Sequence, residues 1–420
     1  MPRAVVSTIA VALLLPGPMG VARAQQEVIS EIHVHGNTLT STDDILRVAG
    51  LTVGDPFTDE QRGQAAERLR ATKNFDRVDV LKRYASIDDP TRVAVVVLVD
   101  EGPVRIVPED GPGKAARVVR RGRSNLMFMP VLSAADGYGL TYGARFSFVD
   151  SVGRRSRVSF PLTWGGDKSA AVELEKDLQR RGAPRLTGGA LFQRRTHPFY
   201  REDADRGRVW ARADWQLRRP LRVGTTAAWQ DVSFLGDHVA TPLGGADIVF
   251  DTRLDPTLPR NAVYARAAVE HLRLPDRPLT RTELEARGYI GVGGQRVLVL
   301  RGLREGVDRS APPYYRWLLG GDRNLRGFRA GTAVGDTLVA GSAELRAPIS
   351  SPLRVAKVGV NIFVDTGVAY DKGRRLSDQS FKTGAGAGVW LTAAVLQVHL
   401  DVAHGFHSGT RAHFGLGLAF

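Results

Sequence analysis

The sequence predicts a transmembrane antiparallel β-barrel of about 16 strands, preceded by a small α+β domain. Three observations predict it. The chain opens on an export-type leader, and no later stretch holds the ~18 uninterrupted apolar residues of a spanning helix. From about Leu126 to Phe420, short alternating segments recur between Gly, Pro, Asp and Arg-rich turns, with no sustained helical period. An exported chain with strand after strand apolar on one face needs somewhere to put those faces.

Composition removes other classes. A chain of 420 residues is long enough for more than one domain with a core. The absence of cysteine excludes a disulfide scaffold, thiolate-held zinc, iron–sulfur clusters and thiol catalysis. The net charge of +14 would suit a nucleic-acid binder, but Arg and Asp/Glu are interleaved rather than gathered into a basic arm, so no nucleic-acid partner is expected. Of the 58 basic residues 50 are Arg, which makes a basic lumen plausible, with Arg157, Arg212 and Arg287 as candidates.

Residues 1–24 read as a signal peptide. Arg3 supplies the positive start, residues 4–15 the apolar core, and Ala22-Arg23-Ala24 a small-x-small cleavage site before Gln25. The apolar run is shorter than the roughly 20 residues a spanning helix needs, and Pro16, Gly17 and Pro18 break it. Residues 25–103 follow as the α+β domain, 104–120 as a linker rich in Pro, Gly and charge, and 121–420 as the barrel.

The α+β domain reads strand, helix, helix, strand, strand. The segment from Val28 to Val34 stops at the turn signal Gly36-Asn37. Thr42 is the expected cap of a short helix carrying Ile45, Leu46 and Val48 and ending at Gly50. Thr58 with Gln61 forms a capping box ahead of Ala65, Ala66 and Leu69 at helical spacing. Phe75 leads into Val78 and Val80 of the second strand, and Arg92 to Val99 forms the third. One sheet against two helices is the economical arrangement.

Four landmarks in this segment resemble, in order, those of a POTRA domain. They are Val34-His35-Gly36-Asn37, Gly54-Asp55-Pro56-Phe57, the entry to the second strand at Asn74-Phe75-Asp76-Arg77-Val78, and the closing Glu101-Gly102. The resemblance implies a periplasmic module that binds unfolded or extended chains by adding a strand to its sheet edge, so that main-chain hydrogen bonds give sequence-tolerant affinity.

In the second part the alternation is explicit. Ala412, Phe414, Leu416, Leu418 and Phe420 fall on one face, with Arg411, His413, Gly415 and Gly417 on the other. Leu396, Val398, Leu400 and Val402 oppose Gln397, His399 and Asp401, while Val358, Val360, Ile362 and Val364 oppose Gly359, Asn361, Phe363 and Asp365. Val158, Phe160, Leu162 and Trp164 repeat the pattern against Arg157, Ser159 and Pro161. In a soluble sandwich this pattern would put the apolar face in a core, whereas in an outer-membrane barrel it faces lipid and the polar face lines a lumen; export without a spanning helix favours the barrel, since only a closed barrel satisfies every backbone group in lipid. Eleven segments precede Tyr314 and five follow Asp336. The terminal Phe420 resembles the C-terminal signature of bacterial outer-membrane proteins.

The site-like features lie in the last third. Leu319-Gly320-Gly321-Asp322-Arg323-Asn324-Leu325-Arg326-Gly327-Phe328 is a Gly-rich loop between strands. It resembles the Arg-Gly-aromatic tip of the long sixth extracellular loop in the BamA/TamA superfamily. Ser342-Ala343-Glu344-Leu345-Arg346-Ala347-Pro348 and Phe363-Val364-Asp365-Thr366-Gly367 resemble the two partner strands of that superfamily, and alternation independently puts Asp365 on the lumen face. The resemblance implies that the loop folds into the lumen and that Arg326, with Gly327 and Phe328 beside it, is anchored by Glu344, Asp365 and the Gly367 strand. Phe250-Asp251-Thr252-Arg253 through Pro259-Arg260-Asn261 resembles a further hairpin of the superfamily, with Asn261 where glycine is usual.

Other chemistries are not expected. Gly384-Ala385-Gly386-Ala387-Gly388 lies in a strand pattern and opens no helix, so it reads as small lumen-side residues rather than a nucleotide loop. His404, His407 and His413 straddle a turn without metal-ligand spacing. The turn acids after Phe250 lack an EF-hand's periodic ligands. No nucleophile motif is present, so no enzyme activity, metal or cofactor is expected.

The expected function is outer-membrane protein insertion or translocation. Extended outer-membrane or exported proteins and outer-membrane lipid would be the partners, with periplasmic chaperones or accessory subunits as further candidates. A secretion pore for one dedicated substrate and a passive channel are the alternatives. The secretion pore would need a plug helix ahead of the POTRA module, and the short stretch between Ala24 and Val28 leaves no room for one.

Overall fold

The computed structural model describes residues 27–37, 40–72, 74–75, 77–85, 89, 91–100, 126–153, 155–178, 182–253, 258–350, 356–393 and 396–418. The expected leader at 1–24, Glu101, Gly102, the linker at 104–120 and Phe420 lie outside these residues.

The N-terminal domain comprises β1 (Val28–His35), α1 (Thr42–Ala49), α2 (Asp59–Ala71), β2 (Arg77–Tyr84) and β3 (Arg92–Asp100). Its sheet order is β1-β3-β2, with β1 parallel and β2 antiparallel to the central strand. β3 is central because it is the most apolar strand: Val93, Val95 and Val97 are fully buried and pack with Ile29, Ile45 and Leu69 under the two helices. Ser41, rather than Thr42, caps α1 by accepting from the Asp44 amide, and Gly50 ends the helix in the left-handed region. The two candidate caps are adjacent hydroxyls of the same chemistry. Thr58 and Gln61 form the capping box of α2. Gly36 has a φ of 86°, and a Cβ there would lie 2.0 Å from the Val99 carbonyl oxygen, so no larger residue fits that turn. Gly54 also turns with positive φ, Asn37 donates to the Thr40 carbonyl at 3.0 Å, and Phe75 is buried in the domain core.

The barrel begins with β4 (Leu126–Ala135), β5 (Gly139–Val149), β6 (Ser156–Gly165), β7 (Lys168–Asp177) and β8 (Arg185–Thr196). It continues through β9 (Asp203–Arg218), β10 (Leu221–Phe234), β11 (Asp237–Asp251), β12 (Ala262–Leu272), β13 (Leu279–Gly291) and β14 (Val297–Val307). The long loop 308–336 carries a small separate hairpin, β15 (Trp317–Leu319) and β16 (Ala333–Gly335). Five strands complete the wall: β17 (Thr337–Ser350), β18 (Ala356–Tyr370), β19 (Lys382–Ala393), β20 (Leu396–Gly405) and β21 (Gly409–Leu418).

These 16 wall strands close into one antiparallel barrel, eleven before the long loop and five after it, as the alternation predicts. The side chains sort as expected. On β18, Ile362 is 58% exposed between Asn361 and Phe363, both 4% exposed. On β6, Phe160 and Trp164 are exposed while Ser159 is buried. Closure is uneven around the ring. β4 and β21 meet through a single register pair, Leu416 with Ala134, among the described residues. In that register β4 ends opposite Gly415, so residues 409–414 run on past it.

One mouth of the barrel, here the proximal mouth, meets the N-terminal domain. Lys357 Nζ donates to the Tyr84 carbonyl at 2.8 Å, and the Arg260 guanidinium lies over the Tyr84 ring. The long loop starts and ends at the opposite, distal mouth.

Candidate functional site

The long loop folds inward because its apolar residues have a wall to pack on. Leu319, Leu325 and Phe328 are buried with Leu303 of β14 and Leu338 of β17. Asn324 shapes the tip by accepting from the Gly320 amide at 2.8 Å and donating to the Leu318 carbonyl at 3.0 Å. Gly327 turns with a φ of 88°, and a Cβ there would lie 2.6 Å from the Gly405 amide nitrogen. The close approach of tip to wall therefore requires glycine.

This tip delivers Arg326 into an acidic pocket of the wall. Its Nε and Nη2 form a fork on Asp365, at 2.8 Å to Oδ2 and 3.0 Å to Oδ1. The Arg326 amide also donates to Asp365 Oδ2, at 3.0 Å. Nη1 donates to Glu344 at 2.7 Å and to Asp401 at 3.0 Å. The guanidinium carbon Cζ lies over the Phe363 ring, 3.3 Å from its centre. Arg326 is 8% exposed, and Glu344, Asp365 and Asp401 are as buried or more so. A planar guanidinium suits this task, since a lysine could neither fork onto one carboxylate nor stack on the ring.

The acids are held in turn. Ser342 donates to Asp365 at 2.6 Å, Asn361 to Asp401 at 2.9 Å and Arg346 to Glu344 at 2.6 Å. The small residues of β19 make room for the web. A Cβ on Gly384 would lie 2.1 Å from the Arg326 carbonyl oxygen, and one on Gly388 would lie 1.9 Å from Asp401. The glycine run is thus a recess in the lumen wall.

A second contact ties the tip to the seam. The Gly327 amide donates to His413 Nε2 at 2.8 Å, and His413 Nδ1 lies 2.8 Å from Asp136 Oδ2. An amide only donates, so Nε2 is the accepting nitrogen and Nδ1 carries the proton toward Asp136. His413 belongs to β21 and Asp136 to the turn between β4 and β5, so this chain crosses from the last strand to the first.

The structure therefore brings Arg326, Gly327, Glu344 and Asp365 together. Phe328 is buried beside Gly405, and Gly367 lies under Leu319, whose Cδ1 would be 2.9 Å from a Cβ there. Sequence reasoning missed Asp401, His413 and Asp136 as members; alternation put the first two on the lumen face and went no further. In the hairpin after β11, Asn261 has a φ of 47° and accepts from the Gly291 amide, while Asp251 pairs with Arg253 at 2.8 Å. Residues 254–257 of that hairpin lie outside the described set. His404 bonds Thr410, and no group of acidic and histidine residues among those described could hold a metal ion.

The tip lies between a proximal cavity of about 730 Å3 and a distal one of about 700 Å3, with Asp322, Arg323 and Asn324 lining both.

Residues 140–420 match the model of the Omp85 superfamily domain, and residues 27–102 match the POTRA model described as a surface antigen variable number repeat. No curated protein matches the chain by sequence. Among solved structures, BamA from Haemophilus ducreyi lacking POTRA domains 1–3 is similar at a TM-score of 0.60 and 13% identity, covering 93% of this chain and 84% of that one. CdiB from Acinetobacter baumannii is similar at 0.53 and 13%, covering 94% and 74%. CdiB from Escherichia coli follows at 0.51 and 11%, covering 97% and 93%. At such identities the likeness is one of fold. The chain belongs to the Omp85 superfamily, with one POTRA domain ahead of a 16-stranded barrel.

Proposed function

We propose that the protein sits in a bacterial outer membrane and inserts or translocates other exported proteins, with residues 1–24 directing its export. Its POTRA domain receives extended clients on the periplasmic side, and its barrel presents them with the edge between β4 and β21. The seam carries this reading: one register pair joins β4 to β21 among the described residues, whereas every other neighbouring pair of the barrel shares at least 6. A client strand can pair with the part of β21 that runs past β4. Burying its apolar face in lipid and completing its backbone hydrogen bonds drive the step, so no catalysis or energy source is needed.

The POTRA sheet supports the same reading. The outer side of β1 is bridged by the segment at Asp55 and Pro56, while β2 forms the other edge. A client strand added to β2 ends near Tyr84, which touches Lys357 at the proximal mouth. The loop web is then the part that must yield or hold as the seam opens, because the Gly327–His413–Asp136 chain fastens both sides of it.

Because the chain has no cysteine, one pair of substitutions tests the seam cleanly. Ala134→Cys with Leu416→Cys places two thiols on directly opposed residues, within reach of a disulfide. Oxidising the pair in the host is expected to abolish function and reductant to restore it; full function with the bond formed would refute lateral opening. Depletion followed by quantitative outer-membrane proteomics separates the roles. Loss of many unrelated barrels supports general insertion, loss of one exported protein supports dedicated secretion, and an unchanged proteome with altered solute permeability leaves a passive channel.

A further inference from the structure

Most of the arginines that line the lumen are paired with acids. The three arginines singled out by sequence as a basic lining are all paired: Arg157 with Glu175 at 2.5 Å, Arg212 with Asp247 at 2.6 Å and Arg287 with Glu285 at 2.7 Å. The expected basic lumen is not at those positions. It is at Arg195 on β8 and at Arg206 and Arg208 on β9, which line the distal cavity without a carboxylate partner among the described residues.

Five of the six acids of that cavity are engaged elsewhere, and the sixth, Asp322 on the loop tip, faces His399, Asp136 and His413 rather than the arginines. Glu270 pairs with Arg281 at 3.0 Å, Glu283 with Arg266 at 2.6 Å and Glu305 with Arg323 at 3.3 Å. Asp136 bonds His413 and Asp167 accepts from Gln193. The three arginines bond only neutral groups, and the carboxylate near Arg208, that of Glu270, is paired with Arg281. Arg195 lies over the Tyr138 ring, Arg206 donates to Gln230 at 2.9 Å, and the buried Nε atoms of Arg206 and Arg208 have no acceptor among the described residues. Their spacing suits convergence. Arg195 is directly opposite Ala204, two residues from Arg206, and Arg206 and Arg208 are two residues apart on one strand. Neighbouring strands lie about 4.8 Å apart and alternate residues on a strand about 7 Å apart, well within the reach of three long side chains.

Three like charges held together in a half-buried wall repel one another, and each guanidinium offers a fork of donors. We infer that the Arg195–Arg206–Arg208 wall is a binding site for a phosphate-class oxyanion in the distal lumen. A carboxylate brings one charge and two oxygens and would leave part of the cluster unmatched. A phosphate monoester brings nearly two charges and three or more acceptor oxygens, which suits three forks. The same phosphate chemistry is offered by the free ion and by a lipid headgroup entering at the distal mouth.

The test uses the full-length protein in bilayer nanodiscs, titrated with inorganic phosphate and followed by phosphorus NMR. Saturable binding that weakens with salt is expected. Arg206→Gln and Arg208→Gln should each weaken it roughly tenfold, while Arg157→Gln leaves it unchanged. Intact folding of each variant is checked by the gel-mobility shift of the unheated barrel. Phosphatidylcholine vesicles doped with phosphatidic acid are then added as competitor: displacement identifies a lipid headgroup as the source, and no displacement identifies the free ion. Acetate or a polyglutamate peptide binding as tightly as phosphate would overturn the assignment. So would unchanged binding in the folded variants or the absence of saturable binding.

Discussion

The POTRA domain and the barrel solve the burial problem in opposite senses. In the first, the apolar faces of β1, β2 and β3 close on two helices, and Val93, Val95 and Leu69 are fully buried. In the second, Ile362, Phe160 and Trp164 stand exposed on the outer wall while Arg326, Asp365, Asp401 and His413 are buried inside. The comparison teaches that the barrel's specificity cannot come from its apolar residues, which meet a featureless lipid. It comes from a polar interior, where each bond has a direction and each broken bond leaves a buried charge.

The largest expected effect follows from that. Arg326→Ala removes one cation from among three buried acids and should lower the barrel's unfolding free energy by about 4 kcal/mol. Denaturant titration in liposomes measures it, and an unchanged midpoint would mean that the web is not the barrel's effective core. Ile362→Arg puts a charge on the lipid face near the middle of β18 and should cost about 3 kcal/mol. The same substitution would be mild on an exposed strand of a water-soluble sheet, which sharpens the contrast.

Val95→Ala should cost the POTRA domain about 2 kcal/mol and leave the barrel transition where it was, because its cavity opens in the other core. A shift of both transitions together would show that the contact between Lys357 and Tyr84 couples the two cores. Thr58→Ala removes half of the capping box and should cost about 1 kcal/mol, again in the POTRA transition alone.

The smallest expected change is a local one at the distal mouth. His197 is packed against Tyr200 and Phe234, and burial, aided by the nearby Arg195, holds its imidazole down to a pKa of about 4. Its pKa is depressed relative to the unfolded chain, so the stabilisation is complete above pH ~6.5 and is lost as pH falls toward that folded value. Hydrogen exchange of the turn between β8 and β9 should quicken over that window, and His197→Gln should remove the dependence.

The two regions also differ in how far the sequence exposes them. Strand count and lumen-facing positions were readable because alternation is a local signal of period two, and the helices were readable from caps and spacing. The pairing of Arg326 with Glu344 and Asp365 was readable through resemblance, with alternation agreeing about Asp365. Asp401, His413 and Asp136 were not. Arg326 and Asp401 lie 75 positions apart, Gly327 and His413 86, and Asp136 and His413 277. Infolding of the long loop and closure of the ring bring them together, and no local pattern encodes either. The lumen arginines failed for a different reason: Arg157 meets Glu175 directly across the strands, Arg212 meets Asp214 on its own strand and Asp247 two strands away, and Arg287 meets Glu285 two residues back, whereas Arg206 and Arg208 pair with no acid among the described residues.

The folded-in loop tip has an electrical meaning. Asp322, Arg323 and Asn324 stand between the two lumen cavities, so the lumen is two wells in series with a resistor between them. That resistor is latched to the wall by the Arg326 guanidinium and by the bond from Gly327 to His413. A protein so built is expected to leak little current at rest despite its wide barrel, and each excursion of Arg326 from its acids should register as a discrete step in single-channel conductance.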